Sequence, residues 1–441
     1  MATQPEVEEL QPLSLRQNVA WSFTGNVVYA ACQWGTVVAV ARLGSAEMLG
    51  QYALALAITG PVIMLANLQL REVQATDASG EHSFSDYFGL RIITTAMALL
   101  VLIGIALFAG YPADTRLVLL AVAVAAAFEA LSDIIYGLLT KCERLDRMAF
   151  SVMIKGPFAL LSLGLGVYLT GSVFWGAAAL AAVMAARFFG FDLDNARMVL
   201  QRSRGHFERR ADQAGEAEIA PRFEAGTVRT LALLSLPLGF VVALGSLGYS
   251  IPQYSVEFYL GERELGIFSA LVYFEAVGRT AIRALGHSAT PKLAQYYFAA
   301  RMSEFYALLL KLLLLAAIIG IAGIAVTSIW GVQIAELVYG EEFARHPQVF
   351  LWVMVAAAIL YLGSMIGCAN TATRKFRKLV VPRIFVIVSV VALCLTLIPR
   401  YGLLGAAWTL CGFGVAECVA GVIVLFMTRR PPNGPAEQRG K

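Results

Sequence analysis

Twelve apolar runs, each long enough to cross a bilayer as a helix, fill nearly the whole sequence. They fall at roughly 16–41, 47–70, 86–109, 117–140, 148–169, 172–199, 228–250, 264–286, 305–330, 347–369, 383–399 and 402–427. In hydrocarbon no backbone N–H or C=O can go unpaired, so a stretch of about 20 apolar residues must be helical. The longest polar stretch, residues 201–226, is too short to fold as a domain. Composition agrees. Apolar residues make up 59% and charged residues 15%, with a mean hydropathy of +0.70, where soluble domains carry about 45–50% and about 25%. Such a chain cannot cover itself with polar surface in water. An ordinary soluble enzyme, a disordered chain and a disulfide-stapled secreted scaffold are excluded. The expected fold is an all-α polytopic membrane protein with twelve transmembrane helices.

The net charge of +4 is small, and nucleic acid is not the partner it implies. What matters is where the charges lie. With the amino terminus inside, the outer loops hold Arg42, Arg116, Arg263, Arg345 and Arg400, while Lys155, Arg187 and Arg279 fall at membrane depth. The other basic residues lie in or beside inner loops and tails, densest at 141–147, 201–226, 373–378 and from Arg429. By this bias both termini are expected in the cytoplasm. The acidic, polar start has no basic region before a short apolar core, so it does not read as a cleavable signal peptide. The six cysteines have no paired spacing and read as small apolar fillers.

The polar stretch divides the sequence into two sets of six spans: 1–200, a cytoplasmic linker 201–227, then 228–428 and a cytoplasmic tail 429–441. The halves match in places. Leu43-Gly44 and Leu49-Gly50-Gln51-Tyr52 correspond to Leu260-Gly261 and Leu265-Gly266-Ile267-Phe268. Trp175-Gly176-Ala177-Ala178 corresponds to Leu404-Gly405-Ala406-Ala407. An even number of spans per half points both halves the same way. They are expected to form two six-helix bundles related by a pseudo-two-fold axis along the membrane normal, with a cleft between them.

Several segments resemble a known family. They are Asn18 to Gly25, Ala41-Arg42-Leu43-Gly44, Gly50-Gln51-Tyr52, Val338-Tyr339-Gly340-Glu341-Glu342-Phe343 and Ile398-Pro399-Arg400-Tyr401-Gly402-Leu403-Leu404-Gly405-Ala406-Ala407. The pattern resembles the polysaccharide transporter family, which includes the O-antigen flippases, within the multidrug/oligosaccharidyl-lipid/polysaccharide exporter superfamily. The resemblance implies a flippase that moves polyprenyl-diphosphate-linked oligosaccharide to the outer leaflet by alternating access. It implies an ion gradient as the drive and no cofactor. The implied partners are the lipid-linked glycan and the bilayer, together with polysaccharide polymerase and glycosyltransferase machinery. The protein is expected to act as a monomer.

A diphosphate and a sugar crossing hydrocarbon need cations and polar groups along their path. Lys155 in span five and Arg187 in span six are candidates for the diphosphate, Arg by a bidentate fork and Lys as a point charge. Glu129 and Asp133, four apart on one face of span four, are candidates for ion coupling; pairing with Lys155 or Arg187 is the structural alternative. Span eight carries Glu275, Arg279 and Arg283 on one face. The family plan places that helix, with spans one, two and seven, around the cleft, so Glu275 and Arg279 are expected to form a gate or substrate contact, with Arg283 at the inner mouth. Span one adds Asn26 and Gln33 and span two adds Asn67, Gln69 and Arg71; the amides are candidate sugar contacts, with helix-to-helix bonding as the alternative.

Two other functions fit twelve spans. A cation-coupled multidrug antiporter would place acids without cations in the cleft. A membrane-embedded glycan polymerase or glycosyltransferase would carry a large outer loop, and every outer loop here is short. Asp192-Leu193-Asp194 mimics a D-x-D metal motif, but residues two apart on a helix diverge by about 200°. No P-loop, H-E-x-x-H or G-x-S-x-G sequence occurs. No metal site or catalytic residue is expected.

Overall fold

The computed structural model describes residues 13–77, 81–202, 219–373 and 380–427. The acidic start, most of the polar 201–226 stretch, the basic segment 374–378 and the tail from Arg429 lie outside them. Among the described residues every regular element is a helix. The elements are α1 (Leu15–Leu43), α2 (Ala46–Asn67), α3 (Leu70–Thr76), α4 (Phe84–Phe108), α5 (Ala113–Lys141), α6 (Leu145–Thr170) and α7 (Val173–Arg187). A π-helical turn (Phe188–Asp192) leads into α8 (Leu193–Arg202). Then follow α9 (Ala225–Leu260), α10 (Glu262–Phe298), α11 (Met302–Val338), α12 (Glu341–Ala344), α13 (Pro347–Ala372) and α14 (Val380–Met427).

Ten helices among the described residues are long and apolar enough to cross a membrane. The chain is a multi-pass helical membrane protein. The sequence reading counts twelve spans, and the difference has two sources. Helix α1 has the length, with 29 residues, but Asn26 and Gln33 in its middle make it too polar to be counted. Helix α14 runs as one 48-residue element, yet its backbone leaves the helical region at Gly402, φ 58° and ψ −136°, at the junction between the spans read at 383–399 and 402–427.

The chain forms two compact units. Unit 1 holds Met1–Gly44 and Ala55–Ala243; unit 2 holds Ser45–Leu54 and Leu244–Lys441. Helices α2 and α9 therefore contribute to both, and the second boundary falls inside α9, beyond the polar stretch read as a linker.

In unit 1, Asn18 ties the start of α1 to the start of α6. Its Oδ1 accepts from Leu145 N–H at 3.1 Å and its Nδ2 donates to Leu13 O at 3.2 Å. Residues Leu68 and Gln69 after α2 adopt left-handed φ of 48° and 53°, a conformation that costs a non-glycine residue about 1–3 kcal/mol. The break re-aims the chain so that α3 lies on α5. Gly137 permits the approach, because a Cβ there would collide with the Gln74 amide and stand 3.3 Å from Arg71 Cα. An apolar cluster including Leu70, Tyr87, Leu90, Ile134, Leu138, Phe188 and Val199 locks α3, α4, α5 and the π turn together.

In unit 2, the two matching segments found in the sequence pack against each other. A Cβ on Gly50 would strike Glu262 O, and a Cβ on Gly266 would strike Ala46 O. The same sequence offset separates Gly50 from Gly266 and Ala46 from Glu262, so the contact has local two-fold character. Gln51 Nε2 donates to Glu262 Oε2 at 3.0 Å across it. The Val338–Phe343 segment is structural. Tyr339 and Phe343 are buried, with Tyr339 edge-on to Phe274 at 5.4 Å and against Phe343 at 5.5 Å.

Candidate functional site

Unit 1 encloses a cavity of about 220 Å³ walled by Ser22, Asn26 and Tyr29 of α1, Arg71 of α3, Glu129, Asp133 and Tyr136 of α5, and Lys155 of α6, among others. Its polar side is an ion network. Glu129 accepts from Lys155 Nζ at 2.7 Å through one oxygen and from Arg187 at 2.8 Å through the other. Asp133, one turn along α5, pairs with Arg91 at 3.1 Å and with Arg71 at 3.4 Å. Asp192 pairs with Arg187 at 3.7 Å and accepts from Ser132 at 2.7 Å and Ser151 at 2.6 Å. Arg187 also donates to Tyr136 and, at 3.0 Å, to Ser151. Arg91 also donates to the Asn67 side-chain oxygen. Tyr29 offers its ring face to Lys155 at 4.2 Å.

Four cations hold three carboxylates in two groups, Arg71 and Arg91 on Asp133, and Lys155 and Arg187 on Glu129 with Arg187 also on Asp192; the Tyr136 ring stands near both, 5.8 Å from Arg71 and 6.0 Å from Arg187. Glu72, exposed on α3, acts on Arg91 without an ion-pair contact. The members differ in access. Lys155, Glu129, Arg71 and Asp133 line the cavity. Arg187 (5% exposed) and Asp192 (1% exposed) lie behind its wall.

Local backbone explains the rear pair. Arg187 and Asp192 are five residues apart, which on an α-helix would separate them by about 140°. The π turn at Phe188–Asp192 widens the helix by one residue per turn and returns Asp192 to the arginine's side.

The candidates read from the sequence fall into two clusters, one in each unit. Asn26, Asn67, Glu129, Asp133, Lys155 and Arg187 come together in unit 1. Gln33 stands one step away, donating to Tyr29 OH at 2.9 Å, and Asn26 bonds back to Ser22 O at 2.7 Å while lining the cavity. Glu275, Arg279 and Arg283 form the second cluster, on α10 in unit 2. Arg279 reaches Glu275 at 3.4 Å and lies over the Tyr249 ring at 5.1 Å. Arg383 and Glu417 on α14 make a further ion pair.

Arg91, Asp192 and Tyr136 are site residues that the sequence reading leaves out of its candidates. Arg91 sits five residues inside span three and reads as an interfacial charge, yet it is fully buried. An arginine and an acid in one apolar run, as Arg187 and Asp192 are, is the signal that could have drawn Asp192 in. Among the described residues no three His, Cys, Asp or Glu side chains are placed to hold a metal ion.

Fold and site together define a class: a helical, two-unit membrane fold with charged groups held inside its spans. The chain has this fold in common with the lipid II flippase MurJ in an inward closed conformation, at a TM-score of 0.71 and 13% identity, covering 95% of this chain and 88% of that one. It also shares it with an inward-facing multidrug resistance MATE family transporter of the MOP superfamily, at a TM-score of 0.68 and 13% identity, covering 92% and 97%. In sequence the chain is 25% identical over 394 residues to the capsular polysaccharide biosynthesis protein CapF of Staphylococcus aureus, covering 89% of this chain and 95% of that one. No family model matches the chain.

Proposed function

We propose that this protein is a flippase, a secondary transporter carrying a polyprenyl-diphosphate-linked oligosaccharide from the cytoplasmic to the outer leaflet of the inner membrane. The observation that carries the reading is the ion network of unit 1, with four cations on three carboxylates, opening on a cavity through Lys155 and Arg71. Cations at membrane depth suit an anionic headgroup. The cavity suits a phosphate-sized group, while sugar and tail lie outside it. Diphosphate bound to Lys155 and Arg71 takes the place of Glu129 and Asp133, and the displaced carboxylates are then free to bind protons and couple transport to an ion gradient. Arg279, Glu275 and Arg283 serve as the second substrate contact. The likeness to CapF supports a surface-glycan role, and the likeness to MurJ supports a lipid-linked substrate. Polymerase and glycosyltransferase machinery are the expected partners of such a protein, with the flippase itself a monomer. A multidrug resistance transporter has the same fold, but a cationic drug would have to displace Lys155 and Arg71 from the two carboxylates that line the cavity.

The test is transport in vesicles loaded with a polyprenyl-diphosphate oligosaccharide. The wild type should expose the glycan on the opposite leaflet. Lys155→Gln should slow this by about tenfold, the worth of one charge-assisted contact of about 1.4 kcal/mol. A wild type that moves cationic dyes and leaves the glycan in place would overturn the reading.

A further inference from the structure

Glu275 differs from every other acid in the ion clusters. It is 3% exposed, and among the described residues its Oε1 has no hydrogen-bond partner. Its Oε2 has one ion pair among them, Arg279 at 3.4 Å, longer than a good charged hydrogen bond. Tyr361 comes close, because Gly278 leaves room for its hydroxyl, but it donates at 2.8 Å to the Glu275 backbone carbonyl, not to the carboxylate. The charged and titratable groups acting on Glu275 are Arg279 and Arg283 from its own helix, Tyr249 from α9 and Tyr361 from α13; Glu417 of α14, paired with Arg383, acts on Tyr249 behind them.

The consequence of adding a proton differs between sites. At Glu129 each oxygen serves a cation at 2.7 or 2.8 Å, and at Asp133 each serves an arginine, so a proton there displaces an ion pair. At Glu275 a proton on Oε1 displaces nothing. It removes the one charge that holds Arg279. Arg283, one turn further along α10, is exposed and makes no ion pair among the described residues. Two guanidiniums at i and i+4 on one face then stand without a charged partner, Arg279 keeping only the Tyr249 ring, an arrangement that suits a phosphate-type dianion.

We propose that Glu275 is a proton-binding site whose protonation releases Arg279 to join Arg283 in holding an anionic phosphate group. Proton and anion then bind unit 2 cooperatively, since each weakens the Glu275–Arg279 contact that opposes the other. The use of this switch in transport rests on the flippase reading; its chemistry does not.

The experiment uses the full chain in phosphatidylcholine nanodiscs and needs no glycan. Infrared difference spectra are recorded as the pH is lowered, with and without sulfate, a dianion that does not titrate in this range. The wild type should gain the carbonyl stretch of a protonated carboxylic acid, and sulfate should enhance it. Glu275→Gln should lack that band and bind sulfate with a weaker pH dependence than the wild type. Glu129→Gln should keep the band. Should Glu275→Gln not fold, Glu275→Asp, which keeps the acid, should show the band at a shifted frequency. A band unchanged in Glu275→Gln, a band at the same frequency in Glu275→Asp, or the same pH-dependent sulfate affinity in wild type and Glu275→Gln would each overturn the proposal. Failure here with intact glycan transport removes the switch and leaves the flippase; the reverse result removes the flippase and leaves the switch.

Discussion

Arg187→Met should be the most damaging single change in unit 1. The methionine fills the space but leaves Asp192, 1% exposed, with two serine hydroxyls and no cation. Removing one partner of a buried pair costs about 3–5 kcal/mol, because the remaining charge is buried without compensation. Glu129 adds little to the loss, since it keeps Lys155 at 2.7 Å and a third of its side chain is exposed. Asp192→Asn alone should cost less, about 1–2 kcal/mol, because Arg187 retains Glu129 at 2.8 Å. The double change removes both charges and should recover most of the loss, coming within about 1 kcal/mol of the wild type, since a neutral pair of similar volume often matches a buried ion pair. The assay is reversible denaturant unfolding in mixed micelles, run as a double-mutant cycle. The cycle should return a coupling of about 2 kcal/mol or more. An Arg187→Met protein within about 1 kcal/mol of the wild type, or a double variant as unstable as the sum of the two singles, would refute the reasoning.

The close approach of α3 to α5 gives a second prediction. Gly137→Leu should push away Gln74 and Arg71, lengthen the Arg71–Asp133 pair and cut anion binding by the cavity, measured with inorganic pyrophosphate on the purified protein; unaltered binding would show that Arg71 does not depend on this contact. Gly50→Ala and Gly266→Ala should each destabilise unit 2 by about 1–3 kcal/mol, because the new methyl meets a backbone carbonyl that cannot rotate away. The double variant should cost less than the sum, since both act on one contact, and thermal unfolding in detergent reads this out.

The membrane fold was legible because hydrocarbon leaves the backbone no choice but helix: the apolar runs fall on the helices, although α9, α10 and α11 continue 10, 12 and 8 residues past the ends read from the sequence. Asn26 and Gln33 show where that signal weakens, since the polarity that draws attention to span one as a site also keeps it below the apolarity of the other spans. The charged residues were legible individually, and the i, i+4 spacing of Glu129 and Asp133 correctly puts them on one face. Which charge meets which was not legible, because it depends on backbone departures that periodicity does not show. The left-handed Leu68–Gln69 turn delivers Arg71 to Asp133, and the π turn after Arg187 delivers Asp192. A reading based on ideal helices turns Asp192 away from its arginine. Arg91 escaped for a different reason: an arginine one turn inside a span looks like one that reaches back to the surface, and only the Asn67 and Asp133 oxygens beside it show otherwise.

Pairing of these charges could be taken as evidence that they are merely structural, but an anion site embedded in a membrane must look like this when empty. Four cations at that depth with nothing opposite them would be prohibitively costly, so on the flippase reading resident carboxylates hold them until the ligand arrives. A resident anion at the cavity wall is a competitor for the ligand, whereas one behind the wall is a strut. Glu129 lines the cavity and shares Lys155 with it, so Glu129→Gln should tighten pyrophosphate binding severalfold by removing the competitor. It should also slow glycan release, because nothing then reclaims the lysine as the headgroup leaves, and binding gained in the ground state alone does not speed turnover. Asp192→Asn, behind the wall, should change neither in that direction. Weaker pyrophosphate binding in Glu129→Gln would show that the carboxylate holds Lys155 in place for the ligand and does not compete with it, and the displacement mechanism would fall.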